Sequence, residues 1–296
     1  MEQCRLISFL CIGFPITANF SFNEPDIKSY SIICQNYKDD KISNNKTNDN
    51  LITADYIEKK KNIIAKYSNP GPGEFGEFIK GVKTKLNTEK KVIAFTFDGC
   101  GGWGSSGYNE ILINFLRKEK IPATLFVTGK WIDANRKTFA QLSADTLFEI
   151  ENHGLNHRLC SVNGASKYGI AGTNNVGEVV DEMEMNARKI YNLTNRRPHF
   201  FRSATAYIDE TSVEIARELN LEVVSFSVLS GDAIPDTPAE NISQNILINI
   251  HPGAIVIMHF NHPNWQEKQA LEMAVPKLRK MGYKFVKLEN YPLKGN

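Results

Sequence analysis

Cysteine is scarce and dispersed. Cys4, Cys11, Cys34, Cys100 and Cys160 are the only five in 296 residues, and no two form a CxxC pair. Neither a disulfide framework nor a cysteine-rich zinc site is expected from such spacing. Charge of one sign is also lacking. The 35 Lys and Arg against 33 Asp and Glu leave a formal net charge of +2, and the basic residues are spread out rather than gathered into a stripe. Nothing in that balance calls for a nucleic-acid partner. Long apolar runs are missing too: the stretch at residues 6–16 is too short for an ordinary transmembrane helix. No internal repeat is evident.

What is present falls into three parts. Arg5 precedes the apolar residues 6–16, and Thr17 and Ala18 follow, an arrangement like a secretory signal peptide over residues 1–20. It leads to the expectation of a periplasmic or secreted protein; an ordinary apolar N-terminus would mean a cytoplasmic one. Residues 21–80 read as a polar linker, largely disordered. The Asn-, Lys- and Asp-rich residues 39–50 cannot bury apolar surface. A short helix fits residues 54–66, and Asn69-Pro70-Gly71-Pro72-Gly73 then breaks the chain. From residue 81 to 296 the pattern is that of one folded domain. Apolar β-type runs at 92–97, 124–127, 148–151, 199–201, 223–228, 255–258 and 285–286 alternate with helical patterns at 109–118, 176–191, 211–219, 239–250 and 266–281. Met183, Ala187 and Ile190 share one helical face. Strand–helix alternation predicts an α/β fold with a parallel sheet, and seven strands over roughly 200 residues approach a full (β/α) barrel.

Polar residues stand at the ends of these runs, where barrel enzymes carry their chemistry. Asp98 closes Thr96-Phe97-Asp98-Gly99, and such an aspartate is costly to bury unless paired or catalytic. His153 and His157 follow the third run with a spacing that lets two imidazoles share a metal; two unrelated loop histidines are the alternative. Arg202 follows two phenylalanines and suits a carboxylate partner. Asp232 and His259 end the next two runs. An aspartate beside that histidine would keep it protonated and oriented as a general acid. Together these point to metal-assisted hydrolysis.

In order and context, these residues resemble the polysaccharide deacetylases, the NodB-homology domain of carbohydrate esterase family 4. Thr96-Phe97-Asp98 resembles the start of the family's TFDD motif, and His153 to His157 its H-S/T-x-x-H motif. Phe201-Arg202-Ser203-Ala204 stands where the family has R-x-P. Residues 226–232 resemble the fourth motif, and Ile257-Met258-His259 the L-x-H motif. The resemblance runs from about Val92 to Tyr291. It implies a distorted (β/α) barrel of seven or eight strands and hydrolytic removal of N-acetyl or O-acetyl groups from a polysaccharide such as peptidoglycan, a chitin-like chain or poly-N-acetylglucosamine. It implies Asp98 as base, held by Arg202, with His259 as acid, its pKa raised by Asp232. It also implies His153 and His157 as ligands of a divalent metal, zinc foremost, with cobalt or manganese as options. A backbone N–H near Thr205 would help hold the oxyanion. Thr205, Tyr207, Phe226, Trp103 and Asn261 are candidate substrate-binding residues.

The chain departs from the pattern at three places. The family's second aspartate, its third metal ligand, is Gly99; the R-x-P proline is Ala204; the tryptophan beside the fourth-motif aspartate is Ala233. Asp98, a water or the Cys100 thiolate could fill the ligand gap. Two other functions stay in view: hydrolysis of a small cyclic amide or imide, and glycan binding without turnover.

Overall fold

The computed structural model describes residues 51–234 and 236–295; the expected signal segment 1–20 and linker residues 21–50 lie outside them. The described chain begins with α1 (Ala54–Lys66), β1 (Phe75–Gly76), β2 (Lys83–Leu86) and β3 (Val92–Gly99). There follow α2 (Glu110–Lys118), β4 (Ala123–Val127), α3 (Gly129–Ala134), α4 (Arg136–Ala144) and β5 (Phe148–Asn152). A long helical stretch comes next: α5 (Val176–Val180), a π-helical turn (Asp181–Met185) and α6 (Asn186–Thr194). The remainder is β6 (Phe200–Phe201), β7 (Ile208–Asp209), α7 (Glu210–Glu218), β8 (Glu222–Val223), β9 (Val228–Leu229), α8 (Ala239–Asn249), β10 (Ala254–His259), α9 (Glu267–Lys280), β11 (Lys284–Val286) and β12 (Leu293–Gly295).

Every residue of β3 is buried, as befits a strand covered on both faces in a parallel sheet. It pairs in parallel with β10 on one side and β4 on the other, and the sheet continues through β5, β6 and β8. The chain beyond β8 returns to the opposite flank: Val224 bridges Lys83, and β9 pairs in parallel with β10. The sheet therefore curls on itself. Its inner face carries Ala94, Phe126, Phe200, Val224, Phe226, Ile255 and Ile257 in one apolar cluster. Its outer face packs Ile93, Phe95, Phe97, Leu125 and Val256 against residues of α2, α8 and α9 in another. This is the α/β barrel expected, and all seven anticipated runs fall on strands. The five anticipated helices form, while α3, α4 and the antiparallel pair β2–β12 are additional.

Registers set which strand ends meet. Asp98 on β3 is paired with His259 on β10, and Asp98 is also level with Phe126 on β4, itself level with Glu151 on β5. The carboxyl ends of the strands thus bring the anticipated acid and base side by side.

Residues 51–80 correct the linker expectation. The 54–66 helix is present, but it is docked rather than free. Tyr56 and Ile63 are buried with Val176, Val179 and Val180 of α5. The Tyr56 hydroxyl and Lys60 Nζ both donate to Asp181. β1 pairs antiparallel with β7. The polar composition misled because only one narrow face of α1 is apolar. Ile63→Ala is expected to lower unfolding stability by about 2–4 kcal/mol, measured by urea denaturation; an unchanged midpoint would restore the linker.

Candidate active site

Asp98 is buried at the end of β3, and its Oδ1 accepts from Arg202 Nη1 at 2.7 Å. Arg202 is 0% exposed. Its Nη2 donates to the Ser225 carbonyl at 2.9 Å and its Nε to that of Val224 at 3.3 Å, while the guanidinium stacks over Phe126 at 4.2 Å. A buried guanidinium with three acceptors and a flat ring beneath it has one orientation, and it leaves Asp98 Oδ2 as the oxygen not bound to it. That oxygen lies 3.7 Å from His153 Nε2.

His153 is buried, and its Nδ1–H donates to the Arg202 carbonyl at 2.8 Å. The carbonyl can only accept, so Nδ1 carries a proton and Nε2 is turned toward Asp98 and Cys100; burial disfavours a charged ring, but the Asp98 charge and the Cys100 contact raise the His153 pKa above its usual value. The His157 ring stands edge-on to it with centroids 4.9 Å apart. Cys100 Sγ is 3.9 Å from His153 Nε2, and one ligand atom each from Cys100, His153 and His157 lie within 4.8 Å of one another. Two nitrogens and a sulfur so gathered fit a divalent metal of the zinc type. Burial opposes the Cys100 thiolate, but the neighbouring His157 charge and hydrogen bonds from His153, His157 and His259 draw its pKa well below the ordinary thiol value.

The histidine loop is shaped from behind by the π-helical turn. Glu182, buried in that turn, accepts from the N–H groups of Asn156 (2.9 and 3.1 Å) and Arg158 (3.0 Å). The Glu182 carbonyl accepts from Leu155, and the Met183 carbonyl accepts from Asn152 Nδ2. Gly154 adopts φ +88°, and a Cβ there would come within 2.4 Å of Glu182 Oε1. A π-helical turn at a functional site is a recurring device. Inside an otherwise regular helical pattern it leaves no compositional trace, so Glu182 had no signal in the sequence.

The candidate acid stands on the neighbouring strand, β10. Asp232 Oδ2 accepts from the His259 backbone N–H at 2.6 Å, and its two oxygens stand 3.2 and 3.3 Å from His259 Nδ1. Ser230 donates to Asp232 Oδ1 at 2.8 Å. Burial disfavours the imidazolium, but the charge and hydrogen bond of Asp232 outweigh it and raise the His259 pKa well above its usual value. Trp265 packs edge-on to His259 with centroids 5.8 Å apart and stacks on His262 at 3.7 Å. Burial and the His259 charge push His262 down to about 4, so it is neutral. Trp265 thus supplies an aromatic wall that Ala233 cannot.

The substrate-binding candidates divide. Tyr207 packs with Phe75 at 5.5 Å and Tyr168 at 6.0 Å, with Lys167 over both tyrosines. Thr205 has φ 55° and a buried Oγ1 without a hydrogen-bond partner. Trp103 is 77% exposed. Phe226 is instead buried in the barrel core, edge-on to Phe78. Asn261 is fully buried; its Nδ2 donates to the Ser105 carbonyl at 2.8 Å and ties down the glycine-rich loop, while its Oδ1 has no hydrogen-bond partner.

The model of the polysaccharide deacetylase family matches residues 85–224 of this chain. The uncharacterized Bacillus subtilis protein YlxY is 26% identical over 200 residues, covering 67% of this chain and 56% of its own length, so the chain spans little more than half of that relative. The peptidoglycan-N-acetylmuramic acid deacetylase PdaA of Bacillus subtilis is 25% identical over 69% of this chain and 72% of its own. The peptidoglycan-N-acetylglucosamine deacetylase of Bacillus cereus is 26% identical over 69% and 90%. Among solved structures, a peptidoglycan N-acetylglucosamine deacetylase superposes with TM-score 0.60 at 21% identity, covering 71% of this chain and 92% of that one. A carbohydrate esterase family 4 pseudoenzyme from Bacillus anthracis does so with TM-score 0.59 at 21% identity, covering 79% and 81%. The structural likeness establishes the fold.

Glu182→Ala would leave loop N–H groups unpaired and free the two histidines. An unfolding stability lower by about 1–3 kcal/mol is expected, together with weaker zinc binding by calorimetry; undiminished zinc affinity would dissociate Glu182 from the site.

Proposed function

We propose that the protein hydrolyses acetamido groups of an N-acetylated glycan, peptidoglycan foremost, in a metal-dependent reaction. One observation carries this reading: Asp98 and His259 are register partners on adjacent strands, each anchored by its own charged neighbour, beside a two-histidine cluster. A divalent metal held by His153 and His157 would polarise the acetyl carbonyl and acidify the attacking water. Asp98 accepts the proton of that water on the oxygen that Arg202 leaves free. The developing negative charge would be supported by a backbone N–H near Thr205, since those of Ala206 and Tyr207 already donate to Ser203 and Ala204. His259, kept protonated by Asp232, delivers its proton to the departing nitrogen, because an amide anion does not leave unprotonated. Acetate and a free amine result. The half-exposed Tyr168 and Tyr207 offer ring faces for a pyranose. The named activities of PdaA and the Bacillus cereus relative support peptidoglycan as the glycan. Such a substrate lies outside the cytoplasm, which fits export by the N-terminal segment.

The test is acetate release from N-acetylglucosamine oligomers and from peptidoglycan by metal-stripped protein resupplied with zinc, cobalt or manganese. Metal-dependent release that disappears in His153→Ala and falls about 10²–10⁴-fold in His259→Ala is expected. A folded protein that binds the glycan and releases nothing with any metal would be a binding relic, and release only from cyclic imides would move the substrate class.

The pH profile follows from Asp232. The His259 pKa is raised, so the acid stays charged above its usual pKa and activity falls on the alkaline side as pH passes the raised value. In Asp232→Asn that alkaline limb is expected to move to lower pH, by about 1–3 units. An unmoved limb would remove His259 as the acid.

A further inference from the structure

We propose that Cys100 is the third protein ligand of the metal site, in the role of the family's missing aspartate, making a His₂Cys centre that prefers thiophilic cations, zinc and cobalt(II), to magnesium or manganese. The inference deepens the reading above and rests on its metal site, though not on turnover.

Gly99 stands at the aspartate position but does not face the site. A Cβ there would lie 2.8 and 2.9 Å from two ring carbons of Phe260 and 3.5 Å from Trp131. Those rings pack on each other at 4.9 Å and belong to the outer core between sheet and helices. Side chains alternate along a strand. With Asp98 facing inward, residue 99 faces outward, and residue 100 is the next to face the barrel interior. The outer core therefore excludes a carboxylate at 99, and the chain's next inward residue carries a sulfur.

That sulfur is placed to bind. Ligand atoms on a tetrahedral zinc stand about 3.5 Å apart. Cys100 Sγ is 3.9 Å from His153 Nε2, and the three ligand atoms gather within 4.8 Å. His153 cannot turn away, because its Nδ1–H is bound to the Arg202 carbonyl. Cys100 is itself held: its carbonyl accepts from the Thr128 hydroxyl at 2.6 Å, and the following Gly101 N–H donates to the Ser105 carbonyl at 2.9 Å. Asp98 is a poorer candidate for the ligand role, since Arg202 already claims one of its oxygens. Three protein ligands leave a fourth position open, as a catalytic zinc site requires. Thiolate and imidazole select zinc and cobalt over magnesium and manganese, which favour oxygen donors.

The test is cobalt(II) titration of the metal-stripped full-length protein, followed by absorption. Wild type is expected to show thiolate-to-cobalt charge transfer in the near ultraviolet together with visible d–d bands. Cys100→Ser, which keeps the size of the side chain, is expected to lose the charge transfer and to bind cobalt at least about 10-fold more weakly, with its far-ultraviolet circular dichroism unchanged. Cys100→Asp is expected to retain cobalt binding without charge transfer. Visible bands with no charge transfer in wild type, equal affinity in Cys100→Ser, or no cobalt binding at all would each overturn the proposal. Acetate release is scored separately. A thiolate-bound cobalt in a protein that releases no acetate would uphold the ligand and refute the deacetylase, and turnover with a silent near ultraviolet would do the reverse.

Discussion

The buried guanidinium of Arg202 is the constraint on which the rest of the site depends. It lies in an apolar barrel, over Phe126, and without partners its charge would be very costly there. Asp98 from β3 and the carbonyls of Val224 and Ser225 beyond β8 supply those partners. Its main chain extends the reach: the Arg202 N–H donates to the Asn152 carbonyl at 3.0 Å, and its own carbonyl accepts from His153. One residue thus fixes the Asp98 carboxyl, the ring orientation of His153 and the spacing of three barrel segments. Replacing it would disturb all three at once.

The second organising feature is polarity across the β3–β10 pair. Asp98 and His259 are neighbours in register, yet each is tied to a partner of opposite charge on its far side, Arg202 for one and Asp232 for the other. Burial opposes the His259 imidazolium, but the Asp232 carboxylate raises its pKa, while Arg202 orients the Asp98 carboxyl through a hydrogen bond. Behind the acid, Glu267 is fully buried with only Asn109 donating to its Oε2, and burial and the Asp232 charge push its pKa up to about 8. It is therefore neutral at ordinary pH and leaves Asp232 as the one carboxylate charging His259. The sequence offered no hint of this, since a glutamate in the first turn of a helix is ordinary.

Sequence alone made the frame and the candidate site cluster legible, for a physical reason. Strands covered on both faces leave unbroken apolar runs, and a charged residue ending such a run is conspicuous: Asp98, His153, Arg202, Asp232 and His259 all stood out this way and all come together. What escaped lacks that contrast. β2 and β12 are short strands with lysines on them, β12 at the sheet edge, α3 and α4 are too short to build a period, and Glu182 sits inside a helix whose π-helical turn no pattern records. The burial of Asn261 and Phe226 was not legible either, because proximity along the chain does not settle which way a side chain turns. The same gap affects Gly99. Aligned by motif, it is a ligand lost; followed along the pleat, the inward position passes to Cys100.

The central claim is that the strand ends build one metal-assisted hydrolytic centre. Anomalous diffraction at the zinc edge, on crystals of the zinc-loaded protein, tests it most directly. The expected result is a single strong peak within bonding distance of His153 Nε2, His157 and Cys100 Sγ, facing Asp98 and His259. A peak elsewhere, or none at full zinc loading, would contradict it.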